Sequence, residues 1–161
     1  MEVEKYDPET GEVTFKTKHL SDYVIYAVDA ADIYLEQAFT FKGYSFSWTG
    51  ALAVGFSVNY EAIDAYNELT GTSMIFGVVF ADYQALGGKQ PHEVEERIFY
   101  VLNDYDYLDY DFVVTDLTEE YYDYEMVIGA FISAGGEMKY VQENGVSDTV
   151  HSITYNEAKG A

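Results

Sequence analysis

Met74-Ile75-Phe76-Gly77-Val78-Val79-Phe80-Ala81 is the stretch on which the reading of this chain turns. Its β-branched and aromatic residues favour an extended backbone, and the lack of polar alternation means that both faces are buried. The run is far too short to span a bilayer, so it predicts a central strand of a sheet. Just ahead of it the punctuation changes to that of a helix. Asn59 can cap, Glu61 sits in the positive first turn, Ala62, Ile63, Tyr66 and Leu69 share one face, and Gly71 can close it. One short helix near residues 60–69 is therefore expected between strands.

Further upstream, Tyr44-Ser45-Phe46-Ser47-Trp48 alternates aromatic with small polar residues, and Leu52 to Val58 follows after Thr49-Gly50. The two predict one buried hairpin, with Trp48 in the core beside Phe46. Ile33 to Phe41 alternates as another strand until Gly43 breaks it, and the small, acidic Asp29-Ala30-Ala31-Asp32 marks a junction. Before that junction, the turn Asp7-Pro8-Glu9-Thr10-Gly11, the alternating Val13 to Thr17 and the apolar Tyr23 to Ala27 predict a hairpin and a return strand. The chain thus divides into an N-terminal β segment over 1–29, the end of a preceding module or a piece docked on the main domain, and a β-sandwich domain over 30–161.

Downstream, Gly87-Gly88-Lys89-Gln90-Pro91 reads as a loop and His92 to Glu96 as a short helical turn. Strands are expected at Arg97–Leu102, Asp111–Asp116, Tyr124–Ala134 and Glu137–Gln142, the last two joined by Gly135-Gly136, with a tail from Val146 to Tyr155. This spacing predicts a mainly β fold: an antiparallel sandwich, immunoglobulin-like or jelly-roll-like, with the one inserted helix.

Composition narrows the partners. With 161 residues, 48% apolar and 17% aromatic, the chain can bury one good core. Its 29 acids against eight bases give a formal charge of -21, which makes nucleic acids and anionic membranes poor partners. The absence of cysteine excludes disulfides, zinc-thiolate sites and thiol nucleophiles. Met1-Glu2-Val3-Glu4-Lys5 lacks the basic and apolar regions of a signal peptide, so an export signal is expected outside this piece.

Two stretches carry a family resemblance. Glu12-Val13-Thr14-Phe15-Lys16-Thr17-Lys18-His19-Leu20-Ser21-Asp22-Tyr23-Val24-Ile25 resembles the closing strand of domains in secreted surface proteins of Gram-positive gut bacteria, where a Phe-x-Thr-x-His-hydrophobic-Ser-x-Tyr pattern recurs. From about Phe39 to Ala158 the order resembles a domain of unknown function in such multi-domain proteins, through its Phe-rich strand, the helix at Tyr60–Leu69, the strand Met74–Ala81, the late strand Tyr124–Ile132 and the ending Ser147-Asp148-Thr149-Val150. The resemblance implies an extracellular or cell-surface module of a larger protein, beside other domains, with no catalytic residues. The acidic stretch from Asp104 to Phe112 departs from that pattern.

No motif supplies a reaction centre. His92-Glu93-Val94-Glu95-Glu96 starts like a zinc-protease helix, but Glu96 stands where the second His is needed. His19 and His151 are isolated. Gly55-Phe56-Ser57-Val58-Asn59 lacks the last glycine of a nucleophile elbow, so Ser57 is expected to end a strand. The chain is read as non-catalytic, with no cofactor, although a pair of its many carboxylates facing a cleft would suit a glycoside hydrolase.

Between Ile98 and Met138 lie ten acidic residues, seven tyrosines and no Lys or Arg. Asp104, Asp106, Asp109 and Asp111 are calcium candidates, because calcium takes several hard oxygen ligands and would relieve the crowded charge. An EF-hand loop does not fit, since Leu108 fills its third ligand position and its glycine is missing. The favoured reading is a bulged strand at a solvated edge, with Tyr105, Tyr107, Tyr110 and Phe112 inward and the acids in water. Tyr105, Tyr107, Tyr121, Tyr122 and Tyr124 are the candidates for an exposed aromatic surface of a carbohydrate-binding module. The expected role is spacing, support or protein interaction, with polysaccharide or a surface protein as partner.

Overall fold

The computed structural model describes residues 2–7, 12–16, 30–47, 50–95, 97–102 and 107–160. In the first two ranges the backbone forms β1 (Glu2–Asp7) and β2 (Glu12–Lys16), paired antiparallel with Tyr6 opposite Val13. That is the hairpin expected from the Pro-Gly turn. The return strand at Tyr23–Ala27, His19 and Trp48 lie outside the described residues.

The later elements are α1 (Ala30–Ala38), β3 (Phe39–Phe46), β4 (Leu52–Val58), α2 (Tyr60–Thr70), β5 (Ile75–Asp82), α3 (Tyr83–Leu86), β6 (Arg97–Val101), β7 (Asp109–Val114), β8 (Met126–Ala134), β9 (Glu137–Gln142), β10 (Gly145–Ser147) and α4 (Tyr155–Gly160). The strands form two antiparallel sheets, of order β3-β4-β7 and β10-β9-β8-β5-β6. Their facing sides share one core: Val54 and Phe56 of the narrow sheet meet Phe76, Ile128 and Ile132 of the wide one. The fold is thus mainly β, a sandwich as the strand spacing predicts.

Several elements differ from the sequence reading. Ile33 to Phe41 is not one strand; its first part is α1, because Leu35 and Ala38, three residues apart, bury together while α1 packs on α2. Four helices are present among the described residues where one was expected. β3 runs through Gly43, which sits at a register shift with φ of 124° and bends the strand rather than ending it. The tail after Val146 contributes only the short β10, then an isolated bridge from Ile153 to Met126, then α4. α2 forms as expected: Asn59 Oδ1 accepts from the Ala62 N–H and Gly71 takes the left-handed closing conformation, but Leu69 turns to solvent. β5 is a central strand as expected, buried on both faces and paired with β8 on one side and β6 on the other. Gly135 and Gly136, both at positive φ, make the tight turn between β8 and β9.

The two sheets differ in width, and the mismatch shapes the molecule. β3 lies against β9 and β4 against β8, while Phe112 of β7 stacks on Phe80 of β5 at 6.0 Å. The wide sheet therefore overhangs by one strand on each side. At β10 the overhang is met by α1, which also touches β3. At β6 no described element covers it. The pairings of Val78 with Tyr100 and Phe80 with Ile98 place Ile98 and Tyr100 on the core-facing side, yet they are 56% and 64% exposed.

The opposite face of the wide sheet carries a smaller cluster that includes Val79, Leu86, Phe131 and Tyr140, closed over by the α3 region and the tail at Val150. Gln142 ties this tail down. Its buried amide donates to the Ile128 and His151 carbonyls and accepts from the His151 N–H at 2.7 Å. Gly129 leaves the room, since a Cβ there would lie 3.0 Å from Gln142 Cγ and from the Val141 carbonyl. Gln142→Ala strands the His151 groups and is expected to cost about 2 kcal/mol in urea unfolding, with faster amide exchange at His151 and Ile153. Exchange unchanged at those two amides would show that the tail is held by other contacts.

Candidate functional site

The acidic stretch resolves into occupied and open groups. On β7, Asp109 and Asp111 point to solvent while Tyr110 and Phe112 pack against the core, as the alternation predicts. Asp109 accepts from Ser57 Oγ at 2.6 Å and pairs with Lys42 Nζ at 3.1 Å. The Ser57 hydrogen bond, then Lys42, hold its carboxyl below the usual carboxylate range. Ser57 thus sits in the end of β4 with its hydroxyl committed to this contact.

Tyr107 contradicts the inward reading. The chain bends at Leu108 before β7 begins, so Tyr107 escapes the strand alternation and is 61% exposed. Its carbonyl accepts the Tyr60 hydroxyl proton at 2.6 Å, and Tyr60, having given its one proton, accepts from Tyr110 at 2.8 Å. This chain of hydroxyls fixes the start of β7 on α2. Asp104, Tyr105 and Asp106 lie outside the described residues; among the described residues no three metal-ligating side chains converge.

The remaining candidate tyrosines fall into two groups. Tyr121 and Tyr124 form an exposed edge-to-face pair with centroids 6.4 Å apart. The Tyr124 hydroxyl bonds to Asp82, which pushes its pKa up to about 12 and lowers that of Asp82, whose carboxylate also caps α3. Tyr122 joins a different partner, stacking on Tyr155 of α4 at 4.3 Å and 18°. Phe46 meets the same Tyr155 ring edge-on at 5.3 Å. Lys159 Nζ lies 5.9 Å from that ring's centroid.

Together Phe46, Ser47, Tyr122, Tyr155 and Lys159 line a groove of about 350 Å³. α4 positions two of them through a reciprocal cap: Glu157 accepts from the Thr154 N–H and hydroxyl, and the Glu157 N–H donates to Thr154 Oγ. Asn156 reaches back to Asp123 and to the Tyr122 carbonyl, which locks α4 to the Tyr122 segment. Tyr122 was a candidate from the sequence; Phe46, Tyr155 and Lys159 were not. The signal that could have found α4 is Thr154-Tyr155-Asn156-Glu157, a capping box in plain view.

His92 is structural in its contacts. It is the middle residue of a 3-10 turn (Pro91–Glu93) and stacks on Tyr140, its Nδ1 within 2.8 Å of the buried hydroxyl. Burial raises Tyr140 to about 12. Burial first, then neighbouring Glu143, raises Tyr44 beside a second, polar groove. Compared with known proteins, the chain matches no family model, no curated protein and no solved structure.

Proposed function

We propose that this chain is a non-catalytic module of a larger extracellular or cell-surface protein, and that it holds an extended segment of a neighbouring domain or surface protein along its open side. One observation carries the reading: β6 and β7 each end a sheet, and Ile98 and Tyr100 offer an apolar shelf on the overhang. An edge strand presents unpaired backbone groups, and an added strand satisfies them while its alternate side chains cover the shelf. The charge names the partner. Asp109 is already paired with Lys42, but the chain as a whole carries a net charge of -21, so the fitting strand alternates apolar with basic residues.

The non-catalytic half of the proposal is supported by the titratable groups themselves. Asp82 and Tyr124 owe their shifts to the hydrogen bond they share, Asp109 to Ser57 and Lys42, Tyr140 to burial, and Tyr44 to burial and Glu143, so each shift has a structural cause in its own neighbourhood.

Synthetic peptides test the shelf. An alternating Val-Lys peptide is expected to bind with a Kd of about 10–100 μM, protecting β6 amides from exchange, whereas an alternating Val-Glu peptide does not bind. Ile98→Asp with Tyr100→Asp should abolish the interaction without lowering Tm by more than a few degrees, because both side chains are already exposed. Equal binding of the two peptides, or binding that survives the double substitution, would refute the assignment.

A further inference from the structure

The geometry points to a second, independent binding site: the groove of Phe46, Ser47, Tyr122, Tyr155 and Lys159 takes a sugar ring that bears a carboxylate, a uronic acid unit of a polysaccharide. Three observations converge on this chemistry. The first is the wall. Tyr155, only 4% exposed, is the buried anchor on which Tyr122 stacks and against which Phe46 packs edge-on, so Phe46 and Tyr122 present a fixed apolar corner instead of a single mobile ring. The hydrogen-bearing face of a pyranose is apolar and fits such a corner.

The second is charge placement. Lys159 is a cation on a chain with 29 acids and eight bases, yet among the described residues it meets no carboxylate within ion-pair distance. The acids nearest to it in the fold's wiring are engaged elsewhere: Glu157 is held by Thr154, and Asp123 by Asn156. Lys159 therefore stands over the aromatic corner with its ammonium free to receive an anion. At physiological salt, charges beyond about 8 Å are largely screened, so most of the chain's 29 acids do not act on a ligand seated in the groove.

The third is size. A volume of about 350 Å³ lined by one charged side chain and three that carry hydroxyls suits one or two sugar units, with the rest of the chain running out along the surface. Ser47 lines the groove with its Oγ already accepting the Ala51 N–H at 3.2 Å, so Lys159 is the group that selects the ligand. A neutral sugar would use the same corner but would leave Lys159 without its counter-charge.

Calorimetric titration of the full chain with tetragalacturonic acid and, separately, with a neutral galactose tetrasaccharide tests the site. The acidic ligand is expected to bind at about 0.1–1 mM and the neutral one at least tenfold more weakly. Lys159→Met should weaken the acidic ligand about tenfold and leave the neutral one unchanged, while Lys159→Arg retains binding. Phe46→Ala, at a partly exposed position, should weaken both, and the Ile98→Asp, Tyr100→Asp double variant should weaken neither. Equal affinity for both sugars, or a Lys159→Met variant that binds like the wild type, overturns the uronate assignment. No heat with either sugar overturns the site.

Discussion

Alanine at Gly77 is expected to lower the unfolding free energy by about 3 kcal/mol and to loosen β6 from β5. Gly77 faces away from the main core, opposite Val101. A Cβ built there would lie 2.0 Å from the Tyr100 carbonyl oxygen and 2.9 Å from Phe131 Cε1. The ring could turn, but the carbonyl belongs to backbone, so relief requires β6 to move. An edge strand with a neighbour on one side has little else holding it. Urea unfolding measures the loss, and amide exchange should show β6 opening well before β8. A change under 1 kcal/mol with β6 protection intact would mean that the close approach is not needed.

The second large effect is expected at Phe56. It is 1% exposed in the middle of the narrow sheet, with Phe41 edge-on at 6.0 Å and Tyr110 as its cross-strand partner on β7. Because β3 and β7 flank it, no side chain from outside can slide in to fill the space. Phe56→Ala should therefore cost about 4 kcal/mol, against about 1 kcal/mol for Phe56→Leu. The order of the pair decides the matter: similar losses for the two variants would show that the site collapses freely and that the core is not close-packed there.

The parts of the fold that were legible in the sequence are those whose cause is local. Asn59 and Gly71 bound α2 by hydrogen bonds spanning three or four residues, and Gly135-Gly136 sets its turn with its own dihedrals. β9 was legible to the residue because a tight turn precedes it and Gln142 ends it. α1 was misread because Ile33, Leu35, Phe39 and Phe41 alternate like a strand, while the force that selects helix is burial of Leu35 and Ala38 beside α2, a tertiary effect. Tyr107 was misread because one bend at Leu108 shifts the phase of everything before it.

The binding features were less legible. The outward direction of Asp109 and Asp111 follows from period-two alternation, but the commitment of Asp109 to Ser57 and Lys42 depends on which strands neighbour β7. Phe46, Tyr122 and Tyr155 come from three remote segments, and only the docking of α4 makes them one corner. No spacing rule could have joined them.

The unequal cover of the two overhangs has a consequence for how many molecules can join. α1 meets the β10 side, and it and α4 both lie on β3, so that flank has helices where, among the described residues, the β6 flank has none. A strand added at β6 cannot be answered by another at the far flank. Pairing along this fold is therefore terminal: one partner completes it, and two copies meeting at β6 would satisfy each other as a closed pair rather than seed an open-ended ribbon.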